Sequence, residues 1–460
     1  MFKLYYRLRE KVTPRREGEA LLWGRGQRVI FKLKNHQSPF APILERLGQQ
    51  WLDEKQLLEL WPGSDPAGQA TFQFFLLKAL QAGLLRTRYH YQDRPLAIVS
   101  PALAGSTPPP AGDRPLTLSR FAYARRQEAQ LVLASPLTRH TVILEPAAWP
   151  LVAGWAAGCA MHEAEQTAAA AGLPRGAAGQ LARILAAARL LVGDPERETR
   201  HPRLAYWQFH DLLFHARSLW RLLDHDPPDS YRLRGVLKPP PVTKTVSGEA
   251  IPLRPPTGRH AQALARPLAE VLEQRASRRR AGEDPLEREE LEALLHAAAR
   301  VKRIKELPDE GEVSFRPAPS GGARHPLEIY PLVRRCRGLE PGLYHYDPQG
   351  HALEPVATSG QAGLDLLEVN PFTSLEHPPP QVQFLISARL GRTAWKYESI
   401  AYRLVQQDLG CLYQTLYLVA TALGLAPCCF GSADVELFAQ ATDIDPLEEP
   451  LVGGFAVSKQ

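Results

Sequence analysis

At 460 residues the chain is too long for a single hydrophobic core, and at roughly 150 residues per domain we expect about three domains. The composition, 44% hydrophobic and 23% charged, is that of ordinary globular proteins, which excludes a largely disordered or fibrous chain. The net charge of +6 is a mild excess spread along the whole length, so nucleic-acid binding is not indicated.

The N-terminal stretch MFKLYYRLREKVTPRREGE mixes charged with aromatic residues and lacks the apolar core of a signal peptide. The apolar stretch from Cys411 to Phe430 contains Gln414, Thr421 and Pro427, which favours a helix buried in a domain or a subunit interface over a membrane span. We therefore expect a cytoplasmic protein without a membrane partner.

The five cysteines show no paired framework and no CxxC spacing, so neither a disulfide scaffold nor a zinc site is expected. Free thiols are typical of a reducing compartment. We interpret the adjacent Cys428 and Cys429 as small apolar residues of a buried segment, with a redox pair as the alternative.

Two Pro-rich segments, Ser100 to Pro115 and Asp224 to Pro256, divide the chain into three blocks. Such segments are typical of linkers. We expect modules at residues 1–100 and 116–223, a linker at 224–256, and a third domain at 257–460.

The first block contains short β-like runs followed by helical patterns. LYYRL, ALLW and RVIFKL indicate strands, and FAPILERL, EKQLLEL and TFQFFLLKALQAGLL indicate helices. RTRYHYQ and LAIVS then predict a two-stranded wing. This order is typical of a winged-helix module.

The second block repeats that order of elements. FAYARR, QLVLAS and HTVILE predict strands, and WPLVAGWAAG, HEAEQTAAAAG and QLARILAAARLLVG predict helices. We interpret the two blocks as diverged copies of one module, and the alternative is chance similarity among helices rich in Ala and Leu. Their candidate recognition helices contain few basic residues, which disfavours DNA reading. The same scaffold offers a strand edge to an extended peptide, so we expect it to handle peptides.

A helical pattern from His201 to Leu223 carries two histidines that invite a metal interpretation. His210 and His215 are five residues apart, about 140° round a helix, and no third ligand follows at a suitable offset. We expect packing or surface roles for both, and no metal site.

The third block alternates helices and strands. REELEALLHAAARV predicts a helix, GLYHYD a hairpin and QVQFLISARL a buried strand, followed by a long helix and a short buried run. The pattern predicts an α+β domain with helices around a largely antiparallel sheet.

Six motifs of this block resemble the SagB-type dehydrogenases of the nitroreductase superfamily, and they occur in the family's order. They are EQRASRRR, RPAPSGGARHPLEIY, EPGLYHYD, WKYESIAYRL, DLGCLYQTLYLVATALGL and CCFGSAD. The whole chain is similar to the cyanobactin azoline oxidases. The resemblance implies an α+β fold class, with a nitroreductase-like FMN domain at residues 257–460 preceded by two winged-helix-like modules.

The resemblance implies that EQRASRRR binds the FMN phosphate through Arg275, Ser277 and Arg279. Arginine makes bidentate, permanently charged contacts to phosphate, and a serine hydroxyl adds a donor. The family often has a second basic residue where this chain has Ala276, so Arg278 or Arg279 is expected to replace it. The alternative is a solvated basic helix start.

Two further motifs are implied to contact the flavin ring. A PSGG loop lacks bulky Cβ atoms, so its backbone N–H groups can approach the polar edge of the ring. The CCFGS stretch, which ends at Ser432, is implied to lie against the ring. The implied contacts are Pro319, Ser320, Gly321, Gly322, Phe430 and Gly431.

Lys396 and Tyr397, in WKYES, match the Lys-Tyr pair proposed as catalytic in this family. Azoline oxidation combines a deprotonation with a hydride transfer to the flavin, so a base must lie near the ring that is oxidised. We assign Lys396 as this base, on the expectation that burial or a neighbouring cation lowers its pKa, and Tyr397 as its helper. Because we find no nicotinamide-binding fingerprint, dioxygen is expected to reoxidise the flavin.

Together these features predict an FMN-dependent oxidase that converts thiazolines or oxazolines in a ribosomal precursor peptide to azoles. The superfamily builds its cofactor pocket across a two-fold interface, and the apolar helix from Cys411 to Leu423 suits burial there, so we expect a homodimer. Two alternatives remain open. One is a nitro- or quinone-reducing flavoprotein, and the other is a scaffold that binds peptides without turnover.

Overall fold

The computed structural model describes residues 2–25, 28–35, 37–63, 65–103, 115–219, 230–244, 249–358, 360–372, 377–431 and 434–460. The chain divides into two compact units, Met1–Pro227 and Pro228–Gln460. Much of the first predicted linker, part of the second, and Ser432 of the CCFGS motif lie outside the described residues.

The N-terminal unit combines strands and helices in the order predicted for the first two blocks. Its strands are β1 (Phe2–Leu8), β2 (Thr13–Glu17), β3 (Ala20–Arg25), β4 (Arg28–Leu33), β5 (Leu52–Asp53), β6 (Leu85–Tyr91), β7 (Arg94–Ser100), β8 (Thr117–Leu118), β9 (Tyr123–Gln127), β10 (Gln130–Ala134), β11 (Thr141–Leu144) and β12 (Leu191–Val192). Its helices are α1 (Phe40–Gln49), α2 (Glu54–Glu59), α3 (Pro66–Ala82), α4 (Trp149–Ala157), α5 (Met161–Ala170), α6 (Ala177–Ala187), α7 (Pro195–Arg200) and α8 (Phe209–Ser218), with a 3-10 turn at Pro146–Ala148.

Helix α3 shows how local chemistry sets these boundaries. Asp65 caps its start by accepting a hydrogen bond from the Gly68 N–H at 2.6 Å, and Pro66 occupies the first turn, where no N–H is needed. Gly83 ends the helix in the left-handed region at φ +73°, which costs glycine little. The buried Phe72 and Leu76 on one face then pack into the core of this unit.

Strands from both predicted modules form one antiparallel sheet, in the order β5-β1-β6-β7-β11-β10-β9. The modules join where β7 pairs with β11, in a register that sets Ser100 opposite Thr141. The pairing satisfies main-chain groups of β7 that an isolated first module would expose. Smaller sheets are formed by β2-β3-β4 and by β12-β8. The winged-helix assignment of the two modules stays a prediction.

The predicted helix over residues 201–223 is shorter than expected, since α8 covers only Phe209–Ser218. His210 is exposed, and His215 packs against Trp207 with ring centroids 5.1 Å apart. Among the described residues no cluster of His, Cys, Asp and Glu is arranged to hold a metal ion. In the same part of the chain, no helix has both the length and the hydrophobicity needed to cross a bilayer.

The C-terminal unit confirms the predicted α+β arrangement with a largely antiparallel sheet. Its strands are β13 (Ile251–Pro252), β14 (Leu286–Glu287), β15 (Arg303–Leu307), β16 (Gly311–Phe315), β17 (Leu327–Val333), β18 (Cys336–Arg337), β19 (Gly342–Asp347), β20 (Ala352–Pro355), β21 (Val382–Ala388), β22 (Leu425–Phe430) and β23 (Leu451–Lys459). Its helices are α9 (Gly258–Leu264), α10 (Leu268–Gln274), α11 (Arg288–Ala299), α12 (Gly360–Glu368), α13 (Leu390–Ala394), α14 (Ala401–Ala422) and α15 (Val435–Thr442), with a 3-10 turn at Gly321–Ala323.

The central sheet of this unit has the order β13-β20-β19-β17-β21-β23-β22. Every residue of β17 and β21 is buried, as expected of strands covered on both faces. Helices α11 and α14 pack over the sheet and contribute to its larger apolar core. Helix α14 therefore supports the loops of the candidate active site.

The second Pro-rich segment differs from the expected linker, because its described residues from 230 onward belong to the C-terminal unit. The indole Nε1 of Trp395 donates to the Leu237 carbonyl at 2.8 Å, and Arg392 Nη1 donates to the Pro240 carbonyl at 2.6 Å. Prolines lack an N–H but keep a carbonyl acceptor. Side-chain donors can therefore anchor a segment that has no helical or strand periodicity.

Candidate active site

The predicted PSGG loop joins β16 to β17 and is held by one carboxylate of helix α14. Ser320 Oγ donates to Asp408 Oδ2 at 2.5 Å, and the Gly321 N–H donates to Asp408 Oδ1 at 3.0 Å. Ser320 Oγ also accepts from the His325 N–H at 2.9 Å. Burial raises the pKa of Asp408, although the bonds from Ser320 and Gly321 oppose this rise. These bonds fix the loop at Ser320 and Gly321 and join it to the backbone of His325.

The two glycines of this loop leave room for neighbouring side chains. Gly322 has a φ of +62°, and a Cβ placed on it would lie 2.6 Å from the Tyr397 hydroxyl oxygen. A Cβ on Gly321 would lie 3.1 Å from Leu404 of α14. A side chain at residue 322 is therefore disfavoured by both conformation and space. The structure brings the predicted flavin loop into contact with Tyr397.

Lys396 lies in a network of charged and polar side chains centred on Glu310, which occupies the turn between β15 and β16. Its Nζ donates to Glu310 Oε2 at 2.9 Å, and the Tyr231 hydroxyl donates to Glu310 Oε1 at 2.6 Å. Arg324, only 1% exposed, donates to the same carboxylate at 2.8 Å. The Lys396 Nζ also lies 5.4 Å from the ring centroid of Tyr231 and 5.7 Å from that of Tyr397.

This network sets the protonation states of Lys396 and Glu310. Burial disfavours the charged ammonium, but the hydrogen bonds to Tyr231 and Glu310 outweigh it and raise the pKa of Lys396. Burial likewise opposes the charge of Glu310, yet its bonds from Tyr231 and Lys396 and the charge of Arg324 lower the pKa of that carboxyl. The expectation of a lowered lysine pKa is therefore wrong for this state, because the neighbour of Lys396 is an anion.

A cavity opens beside the PSGG loop, between the end of α11, the start of β17 and helix α14. Its empty volume, mouth included, is about 350 Å³, and Arg316, Ser320, His325 and Asp408 supply its polar walls. Arg316 Nη2 is buried and has no hydrogen-bond partner among the described residues. Burial, together with the nearby charge of Arg316, lowers the pKa of His325 to about 3, so this imidazole is neutral at physiological pH. A donor without an acceptor in such a cavity suits a polar ligand.

The predicted phosphate segment follows helix α10 and runs beside β22. Ser277 Oγ lies 2.8 Å from the Tyr417 hydroxyl, and the Arg275 guanidinium lies 5.3 Å from the ring centroid of Tyr417. The Arg278 N–H donates to the Pro427 carbonyl at 2.8 Å, and the side chain of Arg279 is exposed. The segment EQRASRRR continues beyond the end of helix α10 as an extended chain. It is therefore not the start of a basic helix, which was the alternative interpretation.

Helix α14 separates the two groups of predicted FMN contacts. Asp408 holds the PSGG loop and Tyr417 contacts the phosphate segment. Nine helical residues correspond to about 14 Å along the axis and about half a turn around it. The face between them exposes Gln407, Cys411 and Gln414 to solvent. One chain therefore places the two groups on opposite sides of the helix.

The side chain of Phe430 lies in an apolar core and not on an open surface. Its ring is 6.2 Å from that of Phe372, and it packs so closely on Gly454 of the neighbouring strand that a Cβ there would clash with it. Gly431, one residue further, is exposed. Cys428 is buried and Cys429 half-buried, both with free thiols, which agrees with their interpretation as residues of a buried segment. The flavin contacts of Phe430 and Gly431 stay predictions.

Several residues of the site were not singled out from the sequence. Glu310, Tyr231, Arg316 and Arg324 carry no local pattern, since their roles depend on partners far along the chain. Asp408 did carry a signal: it is an acidic residue on the buried side of helix α14, where the other buried residues are mostly apolar, so it requires a specific partner.

Two family profiles match this chain. The family described as cyanobactin oxidase ThcOx matches residues 116–221, and the nitroreductase family matches residues 272–459. The first match lies in the N-terminal unit, and the second covers the PSGG loop, Lys396 and helix α14. The two matches therefore correspond to different compact units.

Three curated proteins are similar to this chain over part of its length. The provisionally named nitroreductase MJ1384 of Methanocaldococcus jannaschii is 32% identical over 165 residues, 36% of this chain and 78% of that protein. The trifolitoxin-processing protein TfxB of Rhizobium leguminosarum bv. trifolii is 30% identical over 169 residues, 36% of this chain and 45% of its own length. The microcin B17-processing protein McbC of Escherichia coli is 34% identical over 123 residues, 26% of this chain and 44% of that protein. The chain thus spans less than half of each processing protein.

Proposed function

The chain belongs to the nitroreductase family, and we propose that it is an FMN-dependent oxidase that converts azolines in a ribosomal peptide to azoles. The observation that carries this proposal is the contact between Gly322 and the Tyr397 hydroxyl. This contact brings together the PSGG loop, which is predicted to bind FMN, and the Lys-Tyr motif, which is predicted to be catalytic. The matches to the cyanobactin oxidase profile and to two peptide-processing proteins support a peptide substrate.

The residues around the glycine loop fit the ring of FMN. Gly321 and Gly322 keep the loop free of Cβ atoms, and Arg316 offers a positively charged donor in the adjoining cavity. We propose that the loop N–H groups and Arg316 hold the polar edge of the ring. Bound FMN would supply the acceptor for the hydride that leaves the azoline, and dioxygen is the proposed final acceptor.

Arg275, Ser277 and Arg279 fit the FMN phosphate, since they combine guanidinium groups with a hydroxyl on an extended chain. They lie across helix α14 from the glycine loop, so we propose that residues of two copies complete each site. We therefore expect a homodimer with FMN at its interface. Light scattering of the purified protein should give the mass of two chains. A fully FMN-loaded monomer would contradict the two-chain site.

Lys396 is the proposed base, but it is a cation while it is bonded to Glu310. Before it can accept a proton from the azoline ring it must release its own, and Glu310 Oε2 lies 2.9 Å away. We propose that Lys396 loses this proton to solvent, although the Glu310 anion opposes the loss, and that the neutral amine then accepts the ring proton. Tyr397 contacts the glycine loop and orients the ring beside Lys396.

The test is incubation of the purified, FMN-loaded protein with a thiazoline-bearing peptide under air, followed by mass spectrometry. The expected product is lighter by two hydrogen atoms per oxidised ring, and Lys396→Ala leaves the peptide mass unchanged. A flavin-loaded wild-type protein that never changes the mass of thiazoline or oxazoline peptides would refute the proposal.

A nitro- or quinone-reducing activity is the second candidate, because the nitroreductase profile covers most of the C-terminal unit by itself. Rapid bleaching of the flavin by NADPH without any peptide would favour it. The match at residues 116–221 favours the oxidase, because reduction of a small quinone does not require a region similar to a cyanobactin oxidase.

A further inference from the structure

The segment from residue 230 to residue 244 contacts the candidate active site, although it lies outside both family matches. The Trp395 indole and the Arg392 guanidinium donate hydrogen bonds to carbonyls of this segment and fix it beside the WKYES motif. We call residues 230–244 the strap. The start of the strap reaches the proposed base, Lys396, so a part of the chain that the sequence predicts to be a linker contributes to the site.

Tyr231 joins the strap to Glu310 and to the loop that carries Lys396. Its hydroxyl donates to Glu310 Oε1 at 2.6 Å, and its backbone N–H donates to the Lys396 carbonyl at 3.2 Å. Its ring packs edge to face on Trp395 at 5.8 Å, and the Lys396 Nζ lies 5.4 Å from the ring centroid. Backbone, hydroxyl and ring of Tyr231 thus all contact the proposed base or its anion.

The backbone conformation of Tyr231 also points to a specific role. Its φ is +48°, in the left-handed region, which is unfavourable for a residue with a bulky side chain. Such a conformation persists only where surrounding contacts outweigh its cost, and it clusters at functional sites. The contacts of Tyr231 with Glu310 and Lys396 offset this cost.

The Glu310 carboxylate has hydrogen-bond donors on both of its oxygens. Lys396 and Arg324 donate to Oε2, and the Tyr231 hydroxyl donates to Oε1. Without the hydroxyl the carboxylate could turn about its terminal bond, because the preferences of that torsion are weak. Since a neutral amine keeps N–H groups beside its lone pair, Oε2 can accept from Lys396 after the ammonium has lost its proton. The orientation of the carboxylate then sets the direction of the lone pair.

We propose that Tyr231 is a positioning residue for the base: by fixing the Glu310 carboxylate, it directs the lone pair of the neutral Lys396 amine toward the azoline ring. This inference rests on the proposed function, since it takes Lys396 as the base of the oxidation. A base that is out of line with the proton it accepts lowers kcat and leaves substrate binding unchanged.

The kinetic test compares wild type and Tyr231→Phe, which keeps the ring and removes the hydroxyl. Both are used as full-length, FMN-loaded proteins with a thiazoline peptide at one fixed, mildly alkaline pH. We expect a kcat about tenfold lower in the variant and a KM within about twofold of the wild-type value. The bond from Tyr231 raises the pKa of Lys396, so its loss increases the neutral fraction of the amine and by itself would raise kcat. A fall in kcat therefore reports alignment, and an unchanged or higher kcat overturns the proposal.

Two further variants show whether Tyr231 acts through Glu310. Tyr344→Phe is the matched control: it removes a hydroxyl that donates to the Glu340 carbonyl at 2.8 Å, and it should change kcat less than about twofold. In a Glu310→Ala background Tyr231→Phe should also change kcat less than about twofold, because the carboxylate it fixes is gone. A tenfold fall in that background would assign Tyr231 a role independent of Glu310 and overturn the proposal.

The reactivity of Lys396 gives a second measurement, which needs no turnover. Competitive labelling with acetic anhydride, followed by mass spectrometry of proteolytic peptides, gives the rate of Lys396 acetylation relative to that of the other lysines. The bonds from Tyr231 and Glu310 keep a proton on this amine, so Tyr231→Phe should raise the relative rate about threefold. Tyr344→Phe should leave it unchanged. Equal rates in wild type and Tyr231→Phe would contradict the role of Tyr231.

The two measurements separate this inference from the proposed function. A wild-type protein that leaves azolines unchanged, but whose Lys396 reactivity depends on the Tyr231 hydroxyl, refutes the oxidase and supports the contact of Tyr231 with the Lys396 site. Azoline oxidation at the wild-type rate by Tyr231→Phe leaves the oxidase intact and overturns the positioning role.

Discussion

In the C-terminal unit Arg324 and Arg392 are almost fully buried and bonded to carboxylate or carbonyl oxygens, whereas in the N-terminal unit Arg125 and Arg126 of strand β9 are exposed. Burial of a charge removes its hydration, which costs free energy unless hydrogen-bond partners replace the water. Each buried arginine is therefore held in one position by its partners. An exposed arginine keeps most of its hydration, so its charge costs the folded state little. The buried arrangement suits chemistry that needs fixed distances between groups.

Removal of a buried arginine is the strongest test of this contrast. Arg324→Ala leaves Glu310 with fewer partners, and we expect a loss of about 3 kcal/mol in the free energy of unfolding of the C-terminal unit. Arg126→Ala on the exposed strand β9 is the control and should change it by less than about 0.5 kcal/mol. Urea denaturation followed by circular dichroism measures both, and equal effects would remove the contrast.

Removal of the proposed base has the next largest effect. Lys396→Ala should reduce the kcat of azoline oxidation at least about 100-fold, because a positioned base contributes this much or more to a proton transfer. The flavin absorption spectrum and the FMN content should stay as in the wild type. A Lys396→Ala enzyme that oxidises azolines at the normal rate would show that another group removes the proton.

A methyl group on the glycine loop tests the contact that carries the proposed function. Gly322→Ala places a Cβ 2.6 Å from the Tyr397 hydroxyl oxygen and requires a left-handed residue, so we expect FMN to bind about tenfold more weakly. Adding Tyr397→Phe removes the hydroxyl and should restore part of the affinity. FMN titration by fluorescence quenching measures this, and an absence of any rescue would argue against the steric contact.

The pH dependence of azoline oxidation tests the pairing of Lys396 with Glu310. Glu310 raises the pKa of Lys396, so the neutral amine forms only at alkaline pH and kcat should rise with pH in the wild type. Glu310→Gln removes the anion and should move this rise to lower pH by about one unit, the scale of a single close charge. An unchanged profile would show that the titration of Lys396 does not limit the reaction.

Most strands and helices were predictable because their signals are local. The apolar alternation of QVQFLISARL and the capping of helix α3 each act within a few residues, and the observed elements follow them. The pairing of β7 with β11 was not predictable, because the main-chain groups of an edge strand can pair with any strand of suitable register. The Pro-rich segment after residue 230 also lacked a signal, since its bonds come from side chains of distant residues.

The residue types of the candidate site follow from the sequence alone: a glycine pair that leaves space, arginines suited to phosphate, and an adjacent Lys and Tyr. The ion pair that keeps Lys396 a cation depends on the folded chain, because Glu310 and Tyr231 reach it from separate loops. A pKa depends on the charges and the solvent within a few ångströms of a group, and distance along the chain does not specify those neighbours. The fold therefore sets the protonation state of a residue whose identity the motif already contained.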